Sequence, residues 1–101
     1  MINKELLIQA IPHSELYTES ESKILQEFVK IAIEEKIIVS AKYLIKLTGL
    51  SVTTVYTSLR SLQKDGIIIK LNNEVNSYEF NKEKINQLIQ LYQNKQAIEK
   101  F

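Results

Sequence analysis

Hydroxyl side chains crowd one short stretch of this chain, LSVTTVYTSLRSLQKDG at residues 50–66, and the same stretch holds its single arginine, Arg60. Positive charge elsewhere comes from 12 lysines. A hydroxyl donates and accepts hydrogen bonds, a threonine methyl packs on apolar groups, and a guanidinium presents five donors in a planar fork. The spacing sorts these groups. On a helix turning about 100° per residue with Val55 at zero, Leu59, Leu62 and Val52 fall at about 40°, 340° and 60°, an inward apolar face. Thr53, Thr57, Arg60 and Lys64 fall at about 160°, 200°, 140° and 180°, an opposite face without apolar side chains. Tyr56, at about 100°, lies between the two. Ser and Thr are poor helix formers, so four of them between Thr53 and Ser58 are more than a merely solvated surface requires.

Other candidate chemistry is sparse. His13 is the only histidine and there is no cysteine, so no metal-ligand set is expected. The acid pairs Glu19 and Glu21, and Glu34 and Glu35, have no neighbouring base and read as solvated carboxylates. No Gly-rich phosphate loop or nucleophile elbow is present, as the chain has two glycines. The expectation is a protein that is not an enzyme, with no catalytic residue and no cofactor.

With 101 residues, 45% apolar and 25% charged, the chain reads as one soluble globular domain spanning residues 1–101. Absence of cysteine suits a reducing compartment. No signal-peptide pattern opens the sequence, and no apolar run nears the roughly 20 residues that span a bilayer. A cytoplasmic protein without a membrane partner is expected. The net charge of +1 conceals a segregation. Residues 1–39 carry four lysines and seven glutamates; residues 40–71 carry four lysines, Arg60 and one acid, Asp65; residues 72–101 balance. The middle third therefore presents a local basic surface.

Around that stretch the pattern predicts five helices. INKELLIQAIP forms a short one over about 3–11, closed by Pro12, with Leu6, Leu7 and Ile11 on one side. A second runs from about Glu21 to Lys36, capped by Ser20 or Ser22, with Ile24, Leu25, Phe28, Ile31 and Ala32 facing a core. Residues 37–39 read as a small strand. Ser40 caps a third helix through Thr48, with Leu44 and Leu47 inward and Gly49 ending it. Ser51 caps the fourth, Val52 to Asp65, which stops at Gly66. Residues 67–71 and 77–80 read as two strands joined by a turn at Asn72–Asn76. The last helix covers about 81–101, with Ile85, Leu88, Ile89 and Tyr92 on one side and Leu91, Ile98 and Phe101 on another.

The order helix, short strand, helix, three-residue turn, helix, hairpin, helix resembles the winged helix-turn-helix family of nucleic-acid-binding domains. The resemblance is carried by AKYLIKLTGLSVTTVYTSLRSLQKDGIIIKL, residues 41–71, within a core of about 20–80. It implies a mainly α fold with a small β-hairpin wing and extra N- and C-terminal helices. It also implies double-stranded DNA as partner, with the fourth helix in the major groove. Thr53, Thr54 and Thr57 would then read base edges, and Ser51 would leave amides aimed at a phosphate. Arg60 sits more than two turns along and would mainly hold a phosphate, and Tyr56 would reach the backbone with its hydroxyl. Lys42, Lys46, Lys64 and Lys70 would position the domain. The hairpin would be the wing; its turn holds Glu74 and no base, which limits its contacts to asparagine amides and Lys70.

Two apolar sides on the last helix exceed what so small a body buries. Leu6, Leu7, Leu91, Ile98 and Phe101 are therefore expected at a homodimer interface, as in MarR-like regulators, with two recognition helices about 34 Å apart. A small transcriptional regulator is the leading expectation. The run YTESESKILQEFVKIAIEE, followed by the helix-turn-helix, also resembles the DNA-binding domain of plasmid or phage replication proteins. The acidic first third and the uncharged wing fit a third alternative, a protein-docking winged helix that binds no nucleic acid.

Overall fold

Each helix among the described residues starts where a side-chain oxygen takes up amides that the first turn leaves unpaired. The computed structural model describes residues 3–71 and 75–99. Asn3 caps α1 (Lys4–His13), its Oδ1 accepting from the Leu6 amide at 3.1 Å. Thr18 caps α2 (Glu19–Ile31) in a reciprocal pair with Glu21: the Glu21 amide donates to Thr18 at 3.1 Å and the Thr18 amide to the Glu21 carboxylate at 2.8 Å. Ser40 caps α3 (Ala41–Thr48) through the Tyr43 amide, and Ser51 caps α4 (Val52–Asp65) through the Thr54 amide. Asn81 takes the Glu83 and Lys84 amides at the head of α5 (Lys82–Glu99).

Three short strands complete the element order: β1 (Lys36–Ile38) between α2 and α3, then β2 (Ile68–Lys70) and β3 (Ser77–Phe80) between α4 and α5. They form one antiparallel sheet in the order β1-β3-β2. The hairpin β2–β3 is local, whereas β1 pairs with β3 across the whole of α3 and α4, Ile37 standing opposite Tyr78.

The core lies where α2 meets α1, α3, α4 and the sheet. Leu7 and Ile11 of α1, Ile24, Leu25 and Phe28 of α2, and Ile37 of β1 are fully buried. Leu44, Val55, Leu62, Ile67 and Ile68 join them from the helix-turn-helix and the hairpin. Each such Leu, Ile or Phe side chain stabilises the fold by about 1.5–3 kcal/mol relative to exposure. The Phe28 and Tyr78 rings lie 5.4 Å apart and tie α2 to the middle strand.

Several expected boundaries move. Pro12 does not stop α1 but sits inside its last turn, which runs to His13. A proline there withholds the amide that would bond the Ile8 carbonyl. Gln26 Nε2 of α2 reaches that carbonyl instead, at 3.4 Å. α2 begins and ends earlier than its periodicity suggested, and its cap is Thr18, not Ser20 or Ser22. It stops at Ile31 because Ala32 turns extended and Glu34 adopts φ +60° in a tight turn bridging Ile33 and Lys36. Lys4 Nζ of α1 bonds the Ala32 carbonyl left at that end. Leu47 and Val52, expected inward, are 37% and 56% exposed. Both lie at helix ends. The turn expected at Asn72–Asn76 falls partly outside the described residues, as does Phe101.

Candidate nucleic-acid interface

Two helices and the tight link between them build the site. Gly49, at φ +72°, ends α3 in the left-handed conformation that suits glycine. Thr48 closes the link: its hydroxyl donates to the Leu44 carbonyl at 2.6 Å and accepts from the Leu50 amide at 3.3 Å. Ser51 then opens α4, accepting from the Thr54 amide at 3.2 Å and donating to the Thr54 hydroxyl at 2.8 Å. Both groups of this serine are thus committed to the cap.

α4 divides as its spacing requires. Val55, Leu59 and Leu62 are buried. Ser58 is buried too, which the sequence did not signal. This side of the helix packs against α2. The outward stripe of Thr53, Thr57, Arg60 and Lys64 is exposed. Thr54 is half-buried beside its cap. Tyr56 is exposed on the flank toward the sheet, where its phenol adds to burial in pushing the Tyr78 phenol upward. Lys42 and Lys46 are exposed one turn apart on α3, which packs against α4, and Lys70 is exposed at the end of β2.

The cations here are left open. Ion pairs among the described residues join Lys23 to Glu19, Lys30 to Glu27, Lys82 to Glu35 and Lys84 to Asp65, at 3.3–4.0 Å. Among the described residues none involves Lys42, Lys46, Arg60, Lys64 or Lys70. Asp65, the one acid between residues 40 and 71, is held by the Tyr17 hydroxyl at 3.0 Å and stands 4.0 Å from Lys84. The local positive excess is therefore not neutralised from within.

The residues expected at a dimer interface separate. Leu7 is fully buried in the chain's own core, because α1 packs between α2 and α5. Leu6 is half-buried and packs on that core. Leu91 and Ile98 are 58% and 74% exposed and line a groove of about 360 Å³ between α5 and the end of α1. His13 belongs to the same groove, its ring 5.3 Å from that of Tyr92. Leu16, 65% exposed, adds apolar surface that the sequence did not single out.

Among the described residues no group of His, Cys, Asp and Glu could hold a metal ion, and no helix is long and apolar enough to cross a membrane.

A helix-turn-helix flanked by a β-hairpin whose middle strand also receives β1 defines a winged helix-turn-helix fold, here with an added helix at each end. Among solved structures the chain is similar to TrmBL2, described as an archaeal chromatin protein that shows a novel mode of DNA binding. The TM-score is 0.60 at 17% identity, over 96% of this chain and 36% of that one. The likeness is thus one of fold, to about a third of the neighbour's length. No protein-family model matches the chain, and no curated protein does.

Proposed function

We propose that the chain is a sequence-specific double-stranded DNA-binding protein that works as a small transcriptional regulator and as a homodimer. One observation carries the reading: an exposed Thr/Arg/Lys stripe on α4 whose Arg60 and Lys64, with Lys42, Lys46 and Lys70 beside them, pair with no acid among the described residues. α4 enters the major groove, with Thr53, Thr54 and Thr57 toward base edges. Arg60, Lys64, Lys42, Lys46 and Lys70 hold phosphates, and Tyr56 adds its hydroxyl at the flank. DNA binding by TrmBL2, a protein of like fold, is in keeping with this. Support for the dimer comes from Leu16, Leu91 and Ile98, apolar and exposed around the α1–α5 groove. A two-fold pair would address a pseudo-palindromic site with half-sites about 34 Å apart.

Fluorescence anisotropy with mixed-sequence duplexes at two salt concentrations tests the reading. Binding should weaken with salt by a log–log slope of about −0.9 per phosphate neutralised. No binding at low salt removes DNA as partner. Sedimentation at micromolar protein tests the dimer separately.

A further inference from the structure

The exposed surface of the first two turns of α4 lacks every side chain that reads a base by paired hydrogen bonds. Residues 51–59 are SVTTVYTSL, without Arg, Lys, Asn, Gln, Asp or Glu. Arginine and lysine pair with guanine, asparagine and glutamine with adenine, and carboxylates accept from cytosine. None of these reaches the groove before Arg60. The surface instead offers methyl groups, from Val52, Thr53 and Thr57, and the ring of Tyr56. Val52 is 56% exposed, whereas Val55, one turn further, is fully buried. The fold therefore makes little use of the Val52 isopropyl group. In the major groove the only apolar group a base pair presents is the C5-methyl of thymine.

Charge complementarity selects the occupant. The stripe is continuous with Arg60 and Lys64, neither of which pairs with an acid among the described residues, and the nearest acid in sequence, Asp65, is engaged by Tyr17 and Lys84. A polyanion carrying methyl groups at fixed positions in a groove matches such a surface; an acidic peptide has no such groove to hold its methyl groups at set spacing.

We infer that α4 recognises thymine C5-methyl groups, with Val52 as a specificity-determining residue, so that the bound duplex site is rich in A·T pairs. The inference rests on the DNA-binding reading and deepens it.

The test uses the full chain and four short labelled duplexes in anisotropy titrations at low salt. They are an alternating A·T duplex, the same with deoxyuridine for thymidine, an alternating G·C duplex, and the same with 5-methylcytosine. Deoxyuridine keeps every hydrogen-bonding group and removes only the methyl; 5-methylcytosine restores a methyl at the same groove position on a different pair. Each methyl contacted should change affinity about fourfold. The A·T duplex should lose that factor or more on uridine substitution, and the G·C duplex should gain on methylation. Val52→Ala should shrink the thymidine-to-uridine ratio about two- to fourfold without altering the salt slope. Its exposure means that it should fold as the parent does, which circular dichroism checks. Equal affinity for the thymidine and uridine duplexes overturns the inference and leaves DNA binding standing. An unchanged ratio in Val52→Ala overturns the role of Val52. Failure to bind any of the four removes the inference together with the reading beneath it.

Discussion

The Tyr17 hydroxyl donates to a carboxylate oxygen of Asp65 at 3.0 Å, across 48 residues of chain. Burial, the Asp65 charge and the bond itself, in that order, push the Tyr17 phenol well above its ordinary range. The pair fixes the segment before α2 onto the last turn of α4 and occupies the one acid of the basic third. Tyr17→Phe should lower stability by about 0.5–1 kcal/mol, since the bond is near solvent. A urea titration of the two proteins measures the difference, and an unchanged midpoint would show the bond to be idle.

Glu21 should make stability depend on acid. Burial alone would raise its pKa, but hydrogen bonds from Ser61 and Thr18 outweigh this and hold the carboxyl below 4.5. The unfolded chain therefore takes up this proton first as the pH falls. The contribution is complete above pH 4.5 and is lost as the pH drops through the lower folded value. Urea midpoints stepped downward from neutral pH should fall less steeply in Glu21→Gln.

Three positions with positive φ should respond in opposite senses. At Gly49 and Gly66, with φ of +72° and +93°, a Cβ would meet nothing closer than the Lys84 side chain at 3.7 Å. Alanine at either should cost roughly 1–2 kcal/mol from backbone conformation alone. Glu34 holds φ +60° with a side chain already in place. Glu34→Gly should be neutral or stabilise by up to about 1 kcal/mol, because it removes that strain. Thermal melts of the three variants read both signs.

Thr53 and Arg60 should separate specificity from affinity. Thr53→Ala should relax preference at one base position by about 1–3 kcal/mol. Arg60→Ala should weaken all duplexes alike and reduce the salt slope by about 0.9. Anisotropy on a panel of single-pair variants of one bound duplex distinguishes the two. A uniform loss for Thr53→Ala would reassign it to phosphate contact.

The helix-turn-helix was readable because its signals are local. Ser40, Gly49, Ser51 and Gly66 mark four helix ends, and Val55, Leu59 and Leu62 fix the inward face of α4 at helical spacing. What escaped depended on partners distant in sequence. α2 looked longer because Ile31 and Ala32 prolong an apolar pattern, although the chain turns at Glu34 into β1, which pairs with β3. Val52 lies at an inward angle, but it is the first residue of α4 and stays more than half exposed. Leu7 was expected at a dimer interface, but α2 and α5 both pack on α1 and the chain's own core takes it. Among the candidate site residues, the stripe of Thr53, Thr57, Arg60 and Lys64 was legible as an exposed face. That five cations lack acidic partners among the described residues was not, since it depends on where the fold places every acid, Asp65 with Tyr17 and Lys84 among them.

The antiparallel pairing of β1 with β3 also bears on how the protein folds. Lys36 stands opposite Glu79, so α3, the turn and α4 all lie within a chain loop sewn shut by a few ladder bonds. Closing such a loop costs entropy before its contacts return any stabilisation, which makes it a late event in folding. The three-stranded sheet is complete only when that seam has formed. Opening the seam and unfolding the domain are then one event, and the slowest-exchanging amides should include those of Ile37 and Tyr78.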